Sequence, residues 1–359
     1  KKRMKYYLVG GAIRDRLLNL TFSEKDYVVI GETEASMLKK GFISVGKKFP
    51  VFLHPKTKEE YALARKEKKV ASGHKGFIFE TDNSISLEED LSRRDLTINA
   101  IAEDEKGNLI DPFKGQEDLK NKILKHVSPA FSEDPLRIFR VARFATKLFP
   151  LSFEVDKSTI SLMQSIPKVE IENLSFERIW QETEKILKMP HSHIYFETLH
   201  KVNALFVFPG IEKYFTKSMD TLKGLTNEDN LEKEKWAALN IENIDPKVLP
   251  IPKKFIRFEK YSRDFKLTLE NEISPKLVLE ALMKINSFRD KELALKIINF
   301  LQKNNKLNSS LISINLNWNL LLAELNSVSI NEGFSENGEL IKKEIYNKRL
   351  DIIKNYLNE

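Results

Sequence analysis

The 359-residue chain is long enough for two or three domains and for a core that needs no covalent staples. It has no cysteine, which excludes disulfides, zinc–thiolate centres and cysteine nucleophiles, and no apolar run approaches the roughly 18 residues of a membrane span. The net charge of +7 suits a polyanionic partner, and roughly +5 of it lies before residue 216, so phosphate chemistry is expected early in the chain.

The basic start, Lys1 to Lys5, is not followed by the apolar stretch and small-residue cleavage site of a secretory signal, which predicts a soluble cytoplasmic protein. Tyr6 to Val9 reads as a strand ending at Gly10-Gly11, and Ala12 to Leu20 then has helical spacing. Further strands are predicted at Tyr27–Ile30, Val51–His54, Glu60–Arg65 and Asn108–Pro112. From Ser128 onward strand signals fade. Amphipathic helices are predicted over 132–149, 176–188 and 191–205, with Ser132 and Ser175 as caps. A Pro-rich joint at Asp245–Lys253 precedes a last helical stretch. The layout is α+β, with a mixed-sheet head over 1–127, a helical neck over 128–210 and a helical body and tail over 211–359.

Two constellations carry chemistry. Gly10-Gly11-Ala12-Ile13-Arg14-Asp15 joins a strand to a helix; glycines let backbone approach a ligand, and a helix start offers free N–H groups to phosphate. A tight turn with a surface arginine is the plainer account. Glu24-Lys25-Asp26 leads into the second strand, where carboxylates at i and i+2 point to one side. Such a pair can hold a hard cation such as Mg²⁺. Glu60 supplies a third carboxylate if its strand pairs beside Asp26, although acids at a strand mouth are commonly only solvated. Gly-Gly, twelve residues, then acid-x-acid is the arrangement of nucleotidyltransferases sharing the DNA-polymerase-β-like fold.

Three segments resemble the class II tRNA nucleotidyltransferase family, which contains CCA-adding enzymes and bacterial poly(A) polymerases. They are Tyr7 to Asp15, Leu87 to Ala100 (with Arg93-Arg94-Asp95) and Ser132 to Phe144 (with Glu133-Asp134-Pro135-Leu136-Arg137). Phe49 to Pro55 and Glu59 to Arg65 bring the resemblance closer to the bacterial CCA-adding enzymes. It covers roughly residues 4 to 210.

The resemblance implies a polymerase-β-like head. It also implies addition of C, C and A to the 3′ end of tRNA from CTP and ATP, or, as the alternative, addition of A alone. A non-catalytic RNA-binding homologue is the reading from another class. Asp134 and Arg137 would then face the Watson–Crick edge of the incoming base, where a bidentate contact discriminates by roughly 1–3 kcal/mol. Gly10, Gly11, Arg14, Arg94, Arg140 and Arg143 would hold the nucleotide, and Asp95 its ribose. Glu24 and Asp26, with Glu60, would serve two Mg²⁺ ions, with Mn²⁺ as a substitute. No protein partner is implied. No His-Asp doublet follows His200, so the phosphohydrolase domain of some relatives is expected to be absent.

Arg137, Arg140 and Arg143 recur every third residue with no acid at i+4, which predicts a largely unpaired arginine face suited to phosphate. The competing account pairs them with acids elsewhere in the fold. Asn99 and Thr97 read as ordinary polar groups, and Trp180, Trp236 and Trp318 as core or surface aromatics. Close relatives have Asp-x-Asp where this chain has Glu24-Lys25-Asp26, which predicts slower turnover or greater tolerance of Mn²⁺.

Overall fold

The computed structural model describes residues 3–22, 24–45, 51–69, 77–80, 83–226, 231–241, 249–304, 316–329 and 338–358. Phe49-Pro50 and residues 245–248 of the joint lie outside them. The chain divides into two compact units, Lys1–Phe208 and Pro209–Glu359.

In the first unit β1 (Lys5–Val9), β2 (Asp26–Ile30), β3 (Ile43–Ser44), β4 (Val51–Leu53) and β5 (Glu60–Leu63) are followed by β6 (Lys66–Lys69) and β7 (Phe77–Glu80). Four short strands complete it, β8 (Ala102–Glu103), β9 (Leu109–Ile110), β10 (Ile123–Leu124) and β11 (Glu154–Val155). Seven of these form one mixed sheet in the order β3-β4-β5-β2-β1-β8-β9. Tyr and Val dominate β1 and β2, side chains that fit a pleated surface buried on both faces. Val9, Val28 and Ala64 pack on one face with Ile85, Leu91 and Ala100, while Val29, Phe52, Tyr61 and Leu63 pack on the other with Met37.

The helices of this unit are α1 (Gly11–Leu17), α2 (Glu34–Lys39), α3 (Leu87–Ser92), α4 (Gly115–Asn121), α5 (Leu136–Leu148), α6 (Lys157–Ser165), α7 (Lys168–Glu172), α8 (Phe176–Leu187) and α9 (His193–Lys201). α5 is the hub, packed against α8 and α9, with Ile138, Phe139, Val141, Ala142 and Leu148 fully or nearly excluded from water.

Each of the five expected strands is present. Apart from β7, the apolar run Phe-Ile-Phe-Glu, the additional strands carry little local signal. β3, β8, β10 and β11 are two residues long, too short for a period to register, and β6 is the charged run Lys-Glu-Lys-Lys, held by antiparallel pairing with β7. Ser132 does not cap a helix. It lies in a 3₁₀ turn (Pro129–Glu133), and α5 begins only at Leu136. Pro135 excludes the helical conformation from the residue before it, so Asp134 is extended, at φ −118° and ψ 101°. Ser175 does stand at the start of α8, but its side chain makes no cap bond.

The second unit is helical, with α10 (Phe215–Gly224), α11 (Glu232–Ala238), α12 (Lys253–Thr268), α13 (Pro275–Lys284), α14 (Lys291–Lys303), α15 (Trp318–Ser327) and α16 (Gly338–Asn358). Its core is aromatic. Phe265 meets Trp318 edge to face at 5.7 Å, Phe258 meets Phe300 at 5.8 Å, and Trp236 is fully buried. Trp180, in the first unit, is also a core residue. Among the described residues no helix is long and apolar enough to cross a membrane.

Candidate active site

The β1–β2 register sets Val9 opposite Asp26, so the Gly10-Gly11 turn and the Glu24–Asp26 segment meet at one end of the sheet. β5 runs parallel to β2 with Glu60 in register with Asp26. Registered neighbours share a face, and here it is the face of Val28 and Ala64, which α3 and the segment after it cover. The pairing on which a role for Glu60 depended is therefore present.

Glu24, Asp26 and Glu60 are exposed, and none has a hydrogen bond or ion pair among the described residues. Burial by surrounding protein raises the Asp26 carboxyl, Arg94 draws it down, and Glu24 raises it again, with a net upward shift. Asp26 is nevertheless exposed. Carboxylates that repel one another and lack an internal partner suit a hard cation with oxygen ligands. Among the described residues no cluster of three or more acids or histidines is already closed around a point.

The glycine pair does more than turn the chain. Gly10 has φ +75°, and a Cβ there would lie 3.3 Å from Arg94 Nη1. A Cβ on Gly11 would lie 3.4 Å from Arg14 Nη2. Two guanidinium groups thus lie against the backbone of the turn, where any larger residue would crowd them.

α3 supports one of them. Ser86 and Glu89 form a capping box at its start. The helix carries Asp90, fully buried, whose carboxylate accepts from Arg94 Nη2 at 3.3 Å, from Arg93 and from the Arg65 N–H. Arg94 Nε and Nη1 have no hydrogen-bond partner among the described residues, which leaves donors beside Gly10 and Asp26.

Arg14 is 4% exposed and lies beneath the site. Its Nε donates to Asp15 Oδ1 at 2.8 Å and its Nη1 to Asn99 Oδ1 at 2.6 Å, and its guanidinium stands 4.9 Å from the Phe144 ring centre. Asn99 passes the connection on, donating from Nδ2 to Asp95 Oδ1 at 3.0 Å. Asp95 also accepts from Arg140 Nε at 2.8 Å, and Lys147 reaches Asp15 Oδ2 at 2.8 Å. A continuous chain of charged and amide groups, Lys147–Asp15–Arg14–Asn99–Asp95–Arg140, therefore ties α1 and the 95–99 segment to α5. Burial would raise the Asp95 carboxyl, but Arg140, Asn99 and Arg137 outweigh it and hold the group well below the usual carboxylate range. Asp95 is occupied as a structural acceptor.

The expectation of an unpaired arginine face is overturned. Arg140 pairs with Asp95, Arg143 Nε pairs with Glu182 on α8, and Arg137 donates to the carbonyls of Ala130, at 3.0 Å, and Arg93. Phe144 gathers Arg14, Arg140 and Arg143 around one ring. The acids come from other elements, which spacing along α5 does not reveal. Arg140 and Arg143 nonetheless engage these acids through Nε.

Asp134, extended just before α5, accepts the Leu136 N–H at 3.1 Å and is gripped by Arg178 of α8. Arg178, Glu182, Asn99, Phe144, Lys147 and Asp90 carry the site's internal contacts without having been assigned a role from sequence. Asp90 to Arg94 and Asn99 to Asp95 have a local signal, i,i+4 spacing. The side-chain hydrogen bonds of Arg178, Glu182 and Lys147, and that of Asn99 with Arg14, join residues 39 to 132 positions apart.

Two family models match the chain, the Poly A polymerase head domain over residues 6–125 and the probable RNA and SrmB-binding site of polymerase A over 152–215. A Multifunctional CCA protein of Acinetobacter baumannii (strain SDF) is 56% identical over 214 residues, 59% of this chain and 52% of its own. A CCA-adding enzyme of Alteromonas mediterranea is 52% identical over 235 residues, 65% of this chain and 59% of its own. The chain thus spans between half and three-fifths of the length of these curated relatives. A solved CCA-adding enzyme with ATP matches over 99% of this chain and 88% of its own, with TM-score 0.69 and 19% identity. A Thermotoga maritima CCA-adding enzyme complexed with tRNA matches over 99% and 91%, with TM-score 0.68 and 19% identity. These structural likenesses establish the fold, a mixed-sheet head with a helical remainder. Through residues 6–125 and 152–215, the chain belongs to the poly(A) polymerase family.

Proposed function

We propose that this protein adds C, C and A, without a nucleic-acid template, to the 3′ end of tRNA from CTP and ATP, with release of pyrophosphate. The observation that carries the reading is the meeting of Glu24, Asp26 and Glu60 with the Gly10-Gly11 turn and Arg94 Nη1 at one sheet end. Identities of 56% and 52% to a Multifunctional CCA protein and a CCA-adding enzyme, over 59% and 65% of the chain, support the choice of substrate.

Glu24 and Asp26, with Glu60 beside them, would hold Mg²⁺, with Mn²⁺ as a substitute. Two such ions supply activation of the tRNA 3′-hydroxyl and neutralisation of charge on the leaving pyrophosphate. The protein's own groups do the rest. Arg94 would offer Nη1 to the triphosphate, its guanidinium fixed in place by Asp90 and by the close pass of Gly10. Arg14 acts from below, through Asn99 and Asp95, to hold the turn and α5 at a constant separation. Asp134 would present an acceptor at the head of α5 to the Watson–Crick edge of the base, with Arg137, anchored on the Ala130 and Arg93 carbonyls, beside it. Residues 1–127 form the catalytic head, 128–210 the nucleotide-recognition neck and 211–359 a tRNA-binding body. The tRNA is gripped by backbone and shape. The setting is cytoplasmic.

The test uses purified protein, Mg²⁺ and a tRNA transcript ending at the discriminator base, supplied with CTP, ATP or both. Two additions from CTP and a third only with ATP are expected. A ladder from ATP alone would move the assignment to A addition. Intact tRNA binding without any product in Mg²⁺ or Mn²⁺ would overturn the enzyme reading.

A further inference from the structure

We infer that Arg178 is a specificity-determining positioning residue, which orients the Asp134 carboxylate so that a single acceptor site is left to read the incoming base. The inference rests on the proposed function, in which Asp134 faces that base.

An ionised carboxylate has about four acceptor sites, two on each oxygen. In Asp134 the Leu136 N–H takes one site on Oδ1 at 3.1 Å, and Arg178 Nη1 stands at the second at 3.5 Å. Arg178 Nη2 takes one site on Oδ2 at 2.9 Å. One site on Oδ2 remains without a partner among the described residues. Cytosine and adenine each place an exocyclic amino N–H on the Watson–Crick edge, whereas uracil and guanine place a carbonyl oxygen there. One fixed acceptor suits the first pair, and an oxygen facing it is repelled.

The two contacts from one guanidinium matter because a carboxylate tied at a single point rotates about its last bond. Without Arg178, only the Leu136 N–H would hold Asp134, and the open acceptor would sweep an arc. The pair is also placed where a ligand can reach it, since the Arg178 and Asp134 side chains are each about one-fifth exposed. Arg178 and Glu182 stand four residues apart on α8, so they share a face. That face makes two contacts, Arg178 on Asp134 just before α5 and Glu182 on Arg143 within it. α8 thereby forms a second wall of the recognition site.

The experiment measures kcat/KM for CTP, UTP, ATP and GTP on tRNA transcripts lacking the last three or the last one nucleotide. Wild-type protein is compared with Arg178→Gln, Arg178→Lys and Asp134→Asn, and far-UV circular dichroism reports folding. Arg178→Gln is expected to lower the CTP-over-UTP and ATP-over-GTP preferences by about tenfold, the scale of one base contact. Arg178→Lys keeps the charge but loses the two-pronged contact, so an intermediate loss is expected, and it serves as the deciding variant if the glutamine form fails to fold. Preferences unchanged in a folded Arg178 variant, with kcat/KM lowered equally for every nucleotide, would overturn the inference and leave the proposed function standing. Unchanged preferences in Asp134→Asn would instead remove the base-reading role of Asp134, and the inference with it. A wild-type protein that extends no tRNA would remove the underlying function.

Discussion

Glu24 carries its carboxylate about 1.5 Å farther from the backbone than aspartate would. Mg²⁺ requires a near-octahedral set of oxygens, so the extra reach has to be absorbed by the segment before β2. Glu24→Asp is expected to raise kcat in Mg²⁺, by up to about 10²-fold if the present ligand is misplaced by 1 Å. Single-turnover incorporation of CMP measures this, and a lower rate would show that the local backbone is built for glutamate. Asp95 answers a different question at the same scale. Its folded pKa is depressed, so its contribution to stability is present above the unfolded carboxyl value near ~3.9 and is lost as pH falls through the folded value. Asp95→Asn is expected to cost about 2–4 kcal/mol at pH 7, less than for a fully buried pair because Arg140 is 37% exposed. Urea denaturation of both forms between pH 2 and 7 should show the gap narrowing only below pH ~4.

The elements that carry the site are short, and their positions are fixed by contacts outside themselves. α4 is an example. Asp111 accepts the N–H groups of Gly115 at 2.7 Å and Gln116 at 2.9 Å, which seats the helix start against the 97–99 turn. A Cβ on Gly115 would fall 2.2 Å from the Thr97 carbonyl oxygen and 2.8 Å from Ile101 Cγ1, so backbone has to move. Gly115→Ala is expected to destabilise the fold by about 1–3 kcal/mol. It should also lower kcat/KM by shifting Asn99, which joins Arg14 to Asp95. Thermal denaturation together with steady-state kinetics checks both effects, and an unchanged melting temperature would contradict the close approach. The longer strands of the head were legible as short apolar runs, and so was the helical character of α5 and α8. The start of α5 was not, because Pro135 interrupts a helical pattern that otherwise extends back to Ser132.

At the scale of the molecule, the break falls between Phe208 and Pro209, and each side has its own core. Every residue assigned here to catalysis or base recognition lies in the first unit. A chain ending at Phe208 is therefore expected to unfold cooperatively in urea and to bind CTP and ATP, while its affinity for tRNA falls sharply. Equilibrium dialysis with labelled CTP, alongside a tRNA binding assay, separates the two properties. A truncated chain with no cooperative transition would show that the first unit needs the second.

The sequence by itself determined the chemistry available. The glycine pair, the acid-x-acid step into a strand and the Glu133 to Arg143 segment are local patterns, and local spacing fixes which groups emerge on one face of a strand or helix. The β1–β2 pairing then follows almost directly, since two adjacent apolar strands joined through one helix have few registers that bury both faces. What tertiary structure alone decided is the state of the charges. Arg14 is buried and tied to Asp15 and Asn99, which its place in the Gly10 to Asp15 segment does not reveal. Arg140 and Arg143 looked unpaired and have acids on other elements, and Arg178 acquired its relation to Asp134 only through the packing of α8 on α5. Ion pairs between elements act through space over a few ångströms, whatever the separation along the chain, so spacing in the sequence reveals only those close along the chain, as for Asp90 and Arg94.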